Sequence, residues 1–132
     1  MLYEISREFH FCYGHRLARH SGKCRNLHGH NAKVIVTIPF DRLTSDGMAI
    51  DFDDLKKIGG WIDSRLDHKM LLWEGDPLLA SLKDEVIVVT PWHPTAENIA
   101  QLILEAAKSL DFKSVSVEFW ETEKCFVKVS DK

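Results

Sequence analysis

Cysteine is scarce: the 132 residues hold three, Cys12, Cys24 and Cys125, an odd number without the spacing of a disulfide framework. Reduced thiols in a cytoplasmic protein are the simplest account. No apolar run approaches the roughly 20 residues that cross a bilayer, so no membrane partner is expected. Met1-Leu2-Tyr3-Glu4-Ile5 carries no basic segment followed by an apolar one, and no secretory signal is expected there. A basic excess is missing too. The formal net charge of -3 argues against a nucleic-acid partner held through its phosphates. No repeat, low-complexity tract or linker divides the chain.

What is present is ordinary for a folded domain. A content of 45% hydrophobic and 28% charged residues predicts one globular unit over residues 1–132, with a core of its own.

Residues 2–11 place Tyr3, Ile5, Phe9 and Phe11 at mostly even spacing, which predicts a strand. A polar loop with Gly14, Ser21 and Gly22 is expected next. A second strand is expected over residues 28–40, strongest at Val34-Ile35-Val36-Thr37-Ile38, with Asp46-Gly47 as a turn after it. Asp51 can cap a helix over residues 51–66 that aligns Leu55, Ile58, Ile62 and Leu66, although Gly59-Gly60 weakens its middle. Residues 67–77 read as a loop and residues 85–90 as a short apolar strand. Thr95 can cap a second helix with Ile99, Leu102, Ile103, Ala106 and Leu110 in one stripe. Residues 114–121 and 126–129 read as a closing hairpin about Thr122-Glu123-Lys124. The sum is α+β, with two helices packed on one face of an antiparallel sheet.

The densest chemistry lies in Cys24-Arg25-Asn26-Leu27-His28-Gly29-His30. Strand alternation puts His28 and His30 on one face, about 7 Å apart along the chain. His15 follows the first strand, where sheet pairing could bring it alongside. Three neutral imidazoles would leave one position of a zinc ion open, the pattern of catalytic sites. Two other readings exist: Cys24 as a fourth ligand of a structural site, and a metal-free His-x-His strand edge. No finger or ribbon spacing supports the first, and the third histidine and the nearby cysteine weigh against the second. His10 is expected to face solvent, and His93, beside Trp92 and Pro94, to pack or cap.

Near a cation, Cys24 would form thiolate more readily and could act as a base or nucleophile. Cys12 and Cys125 are expected to be inert buried thiols. The pair Asp67-His68 has two readings, a poised proton carrier and a helix-end cap. Glu121 shares the parity of Val115, Val117 and Phe119. It is therefore either solvated past the strand's end or turned into a pocket where ligand N–H groups meet it. A carboxylate accepting two parallel N–H bonds suits a pterin. Glu97 needs only the helix dipole to explain it.

Taken together, these residues resemble the family of 6-pyruvoyltetrahydropterin and 6-carboxytetrahydropterin synthases. The matching segments are residues 9–15, 24–31, 50–52, 66–69, 94–100 and 118–122. The resemblance implies zinc at His15, His28 and His30, catalysis by Cys24 with Asp67 and His68, and substrate contacts at Glu121, Thr95 and Thr122. It also implies a tunnelling fold, a four-stranded antiparallel sheet with two helices, assembled as a homohexamer (a dimer of trimers) with active sites between subunits. The three residues between Cys24 and His28 resemble the carboxytetrahydropterin synthases of queuosine (7-deazaguanine) biosynthesis; the pyruvoyl-forming branch usually has a longer gap. Tyr13-Gly14, where small alanines are common, and Lys124-Cys125-Phe126-Val127, which lacks the usual aromatic ending, depart from the pattern. The competing readings are a pyruvoyl-forming elimination, a dihydroneopterin aldolase-like cleavage, and a non-catalytic pterin- or zinc-binding protein.

Overall fold

The computed structural model describes residues 1–83 and 85–132. Its elements run β1 (Tyr3–His15), β2 (His28–Phe40), α1 (Lys56–Arg65), β3 (Lys69–Trp73), β4 (Ile87–Thr90), α2 (Ala96–Ser109), β5 (Ser116–Trp120) and β6 (Phe126–Ser130). One six-stranded sheet has the order β4-β3-β1-β2-β5-β6. Strands β1, β2, β5 and β6 pair antiparallel. Strands β3 and β4 join in parallel beyond β1, so the sheet is mixed rather than a four-stranded antiparallel one.

The correction comes from Lys69–Trp73, expected to be loop. Leu71 and Leu72 are adjacent and both fully buried, so this strand is covered on both sides and shows no alternation. That is the usual look of a parallel strand, and in five residues it offers no period to read.

The long pairing of β1 with β2 runs without a slip from Tyr3 opposite Phe40 to His15 opposite His28. With a side-chain period of two, this register sends Phe9, Phe11 and Tyr13 to the same face as Ala32, Val34, Val36 and Ile38. Val117 and Phe119 of β5 extend that face, and Ile58 and Ile62 of α1 with Ile99, Ile103 and Ala107 of α2 cover it. Each fully buried Val, Ile or Phe contributes about 1.5–3 kcal/mol, so this layer carries the fold. Both helices sit on one face, as expected.

Helix α1 begins later than expected. Asp51 Oδ1 accepts the Asp53 N–H at 2.9 Å and caps a 3-10 turn, Phe52–Leu55, before the α-helix proper. Gly59 stays because α1 lies against β1: a Cβ there would fall 2.9 Å from the Phe9 ring. Close packing thus offsets the helix cost of about 1 kcal/mol. Gly14 belongs to β1 rather than to a loop, and a Cβ there would meet the Met70 side chain at 2.6 Å. Helix α2 begins as expected, the Thr95 hydroxyl accepting the Asn98 N–H at 3.2 Å. Among the described residues no helix is long and apolar enough to cross a membrane.

Candidate metal centre and active site

His15 and His28 face each other across the open end of the β1–β2 pairing, and Tyr13 faces His30 two residues further in. All four side chains therefore point to the helix-covered face. The ring centroids of His15 and His28 are 4.5 Å apart, those of His15 and His30 5.1 Å, and those of His28 and His30 5.0 Å. Within this trio one ligand nitrogen from each ring lies within 4.8 Å of the others.

Main-chain oxygens orient two of the rings. His15 Nδ1 is 2.7 Å from the Pro94 carbonyl oxygen, and His28 Nδ1 is 2.7 Å from that of Asn26. A carbonyl only accepts, so each Nδ1 carries the proton and each Nε2 keeps its lone pair. Burial pushes the His15 and His30 imidazoles below the ordinary histidine pKa, against the opposing pull of Glu121. Neutral rings are the form that binds metal.

Glu121 sits one residue beyond β5, still on the helix-covered side. Its Oε1 accepts the Tyr13 hydroxyl at 3.1 Å. The same oxygen lies 3.4 Å from His15 Nε2 and 3.5 Å from His30 Nε2, within ion-pair range. Neither contact has hydrogen-bonding geometry, so both Nε2 atoms are buried without a partner among the described residues. Buried orphan nitrogens are costly. Three convergent imidazoles of this kind, with no thiolate among them, fit the open tetrahedral coordination of zinc. Burial raises the Tyr13 phenol far above its ordinary value, helped by the Glu121 carboxylate, so it remains a donor at all working pH.

Cys24 lies in the connection 16–27, within a 3-10 turn, Lys23–Arg25, and is half-buried. Its thiol does not join the three histidines at the 4.8 Å separation. The connection is tied at both ends: the Leu17 N–H donates to the Cys24 carbonyl at 2.8 Å, and Arg16 reaches across to Asp76. Arg16 Nε donates to Asp76 Oδ2 at 2.7 Å, its Nη2 contacts Oδ1, and its Nη1 approaches the Arg25 carbonyl at 3.4 Å. Asp76 is fully buried, and Arg16 holds its carboxyl below the usual carboxylate range.

Asp67 and His68 follow α1 on the other side of the sheet, beside Cys12. His68 Nδ1 lies 2.9 Å from Asp67 Oδ2. The Cys12 N–H, then the His68 ring, lower the Asp67 pKa. Cys12 and Cys125 are both exposed, contrary to the expectation of buried thiols, because Cys12 takes the solvent-facing parity of β1 and Cys125 lies just before β6.

Thr95 is occupied as the cap of α2, and it is the neighbouring Pro94 carbonyl that reaches His15. The exposed Thr122 hydroxyl accepts the Lys124 N–H at 3.3 Å within the last turn. His10 is exposed beside Glu8, and His93 packs on Trp73 at 4.3 Å between ring centroids, both as expected. Tyr13 was readable from its parity with His15. The Pro94 and Asn26 carbonyls left no signal, since main-chain groups are common to every residue.

A family model described as 6-pyruvoyl tetrahydropterin synthase matches residues 4–132. The chain belongs to that family. A 6-carboxy-5,6,7,8-tetrahydropterin synthase of Rickettsia bellii is 32% identical, with 96% of this chain and 99% of the relative covered. One of Haemophilus influenzae is 36% identical over 95% of this chain and 96% of the relative. Among solved structures, an uncharacterised protein of Wolinella succinogenes has a TM-score of 0.87 at 31% identity, covering 100% of this chain and 99% of that one. Caenorhabditis elegans 6-pyruvoyl tetrahydropterin synthase shares the fold, with a TM-score of 0.76 at 24% identity over 100% of this chain and 97% of that one. The family is one of pterin synthases, and a pterin is accordingly the small-molecule substrate.

Proposed function

We propose that the protein is a zinc-dependent 6-carboxy-5,6,7,8-tetrahydropterin synthase of queuosine biosynthesis. With one water consumed, it would convert 7,8-dihydroneopterin triphosphate to the carboxytetrahydropterin, releasing acetaldehyde and triphosphate. The observation that carries the reading is the trio of His15, His28 and His30, with lone pairs converging and two of the rings held by backbone carbonyls. The names of relatives at 32% and 36% identity favour the carboxy-forming branch, as does the short spacing of Cys24 from His28.

His15, His28 and His30 would hold the ion. When bound there, zinc supplies Lewis-acid stabilisation of negative charge on the substrate's side-chain oxygens. The Glu121 carboxylate would accept N–H bonds from the guanidine-like edge of the pterin, with the Tyr13 hydroxyl fixing its orientation. Such positioning lowers the barrier by several kcal/mol. The Cys24 thiolate would withdraw a proton from the side chain. His68, steered by Asp67, would carry a second proton, and exposure leaves its ring free to swing.

One geometric fact supports assembly into a homo-oligomer. Asp67 and His68 gather about Cys12 on one face of β1, whereas the three histidines occupy the other. A site that needs both sets is more readily completed between two copies, as in the expected dimer of trimers. The cytoplasm, where thiols stay reduced, suits Cys24.

Mass-spectrometric product analysis after anaerobic incubation of zinc-loaded protein with 7,8-dihydroneopterin triphosphate is the test. Carboxytetrahydropterin with equimolar acetaldehyde is expected. A pyruvoyl product would move the chain to the other branch, and bound but unchanged substrate would make it a binding protein. Cys24→Ala should lose turnover by about 100-fold or more while retaining zinc; full activity in that variant would remove the thiol from the mechanism.

A further inference from the structure

A second set of donors lies outside the three-histidine centre. Cys12, Asp67 and His68 offer one ligand atom each, Sγ, a carboxylate oxygen and a ring nitrogen, all within 4.8 Å of one another. Thiolate, imidazole and carboxylate together are a donor set that zinc and its borderline-soft neighbours favour.

The cluster is braced by the main chain rather than assembled by chance on a mobile surface. The Cys12 N–H donates to Asp67 Oδ1 at 3.0 Å, and the His68 N–H donates back to the Cys12 carbonyl at 2.7 Å. His68 is held at a φ of 59°, a left-handed conformation that costs a non-glycine residue about 1 kcal/mol or more. The reciprocal bonds to residue 12 hold it there. That backbone turns the His68 ring toward Asp67 and Cys12.

The donors also have room. A cavity of about 260 Å³ opens beside them, lined by Cys12, Gly14, His68, Lys69, Met70 and Glu85. Zinc bonds of about 2.0–2.3 Å require tetrahedral donors to stand roughly 3.5 Å apart. The His68 side chain is 78% exposed, and Cys12 is exposed on its strand, so rotamer changes can close the remaining gap. The Cys12 thiol now donates to Asn31 Oδ1 at 2.9 Å. On binding it would release its proton to solvent, and a flip of the Asn31 amide would present N–H to the thiolate. One thiolate and one carboxylate then neutralise a divalent cation, while Lys69 and Glu85 on the cavity wall carry opposite charges.

We infer that Cys12, Asp67 and His68 form a second metal site, for a zinc-like divalent cation, whose filling withdraws the Asp67–His68 pair from proton transfer. The site stands on its own geometry; only the inhibitory consequence rests on the role proposed above for that pair. It makes the chain sensitive to excess metal while the first equivalent serves the histidine centre.

Stepwise addition of Co²⁺ to metal-free protein, followed by absorption and by bound metal per chain, is the test. Two ions per chain are expected, the second bringing a thiolate-to-cobalt charge-transfer band. Cys12→Ser should bind one ion and lose the band, and Cys24→Ser should keep both. A single ion in the wild type would overturn the inference, as would a band lost in Cys24→Ser but kept in Cys12→Ser. His28→Ala should still show the thiolate band, which makes this readout independent of any pterin turnover. In an activity assay, the second equivalent of Zn²⁺ should inhibit the wild type at least fivefold and leave Cys12→Ser uninhibited. Equal inhibition of both proteins would overturn the regulatory part even if the pterin reaction is established.

Discussion

The two donor clusters flank the same strand and are built in opposite ways. On the helix-covered face, burial pushes the His15 and His30 pKa down and favours their neutral rings, and His15 and His28 are aimed by main-chain carbonyls. On the other face, Cys12 and His68 are open to solvent and Asp67 is half-buried. Among them Asp67 is held charged by an amide N–H and by its histidine partner. The first arrangement fixes lone pairs in space; the second leaves a carboxylate–imidazole pair able to move. Strand alternation separates residues 12 and 15, and the parallel register of β3 brings Asp67 and His68 beside Cys12.

The sharpest way to break this contrast is His28→Ala. It removes one ligand of three and should weaken zinc binding by more than about 100-fold, beyond the loss typical of an outer hydrogen bond. Chelator competition would read the change, and unchanged affinity would dismiss the trio as the metal centre. Next comes Asp76→Ala, which strands the Arg16 guanidinium in a largely buried place and should cost about 3 kcal/mol in urea unfolding. Because the Asp76 pKa is lowered in the folded state, its stabilisation is complete above the ordinary aspartate value of about 3.9. It is lost as pH falls through the lowered value. The difference between wild type and Asp76→Asn should therefore be constant near neutral pH and shrink only in acid; a loss centred near pH 6 would point to another group.

Tyr13→Phe tests the buried face more gently. A hydrogen bond to a charged partner contributes about 1.5–3 kcal/mol, so pterin binding should weaken by roughly ten- to a hundredfold at unchanged zinc content. Calorimetry with a pterin ligand would measure it, and an unaltered Kd would leave the hydroxyl with no part in orienting Glu121. Smallest is Thr95→Ala, which deletes only a helix cap. About 1 kcal/mol of stability should go, with zinc affinity nearly kept, because the adjacent Pro94 carbonyl remains. A large fall in zinc binding instead would show that the cap and the His15 bond act as one unit.

Periodicity made some of this legible. The bounds of β2, the cap of α2 and the closing hairpin follow from local pattern, and the His28 and His30 pair follows from alternation. What escaped needs partners distant in the chain. Strand β3 is recognisable only when its parallel neighbours are known, and nothing near Arg16 announces Asp76, 60 residues away. Cys12 was misjudged because a lone cysteine is usually buried; its parity opposite to Phe11 and Tyr13 was the available signal. Asp67 and His68 were visible as a pair, but their separation from the three histidines by the thickness of the sheet was not.

The carbonyls of Asn26 and Pro94 have a bearing on how the site can drift. Neither acceptor is a side chain, so the information that aims His15 and His28 is written in the path of the chain rather than in the alphabet at residues 26 and 94. Point changes at residue 26 should be nearly silent for the metal. Inserting or deleting one residue in the connection 16–27 would shift the oxygen and misaim the ring. For anyone diversifying this scaffold, loop length is the fixed quantity and loop composition the free one.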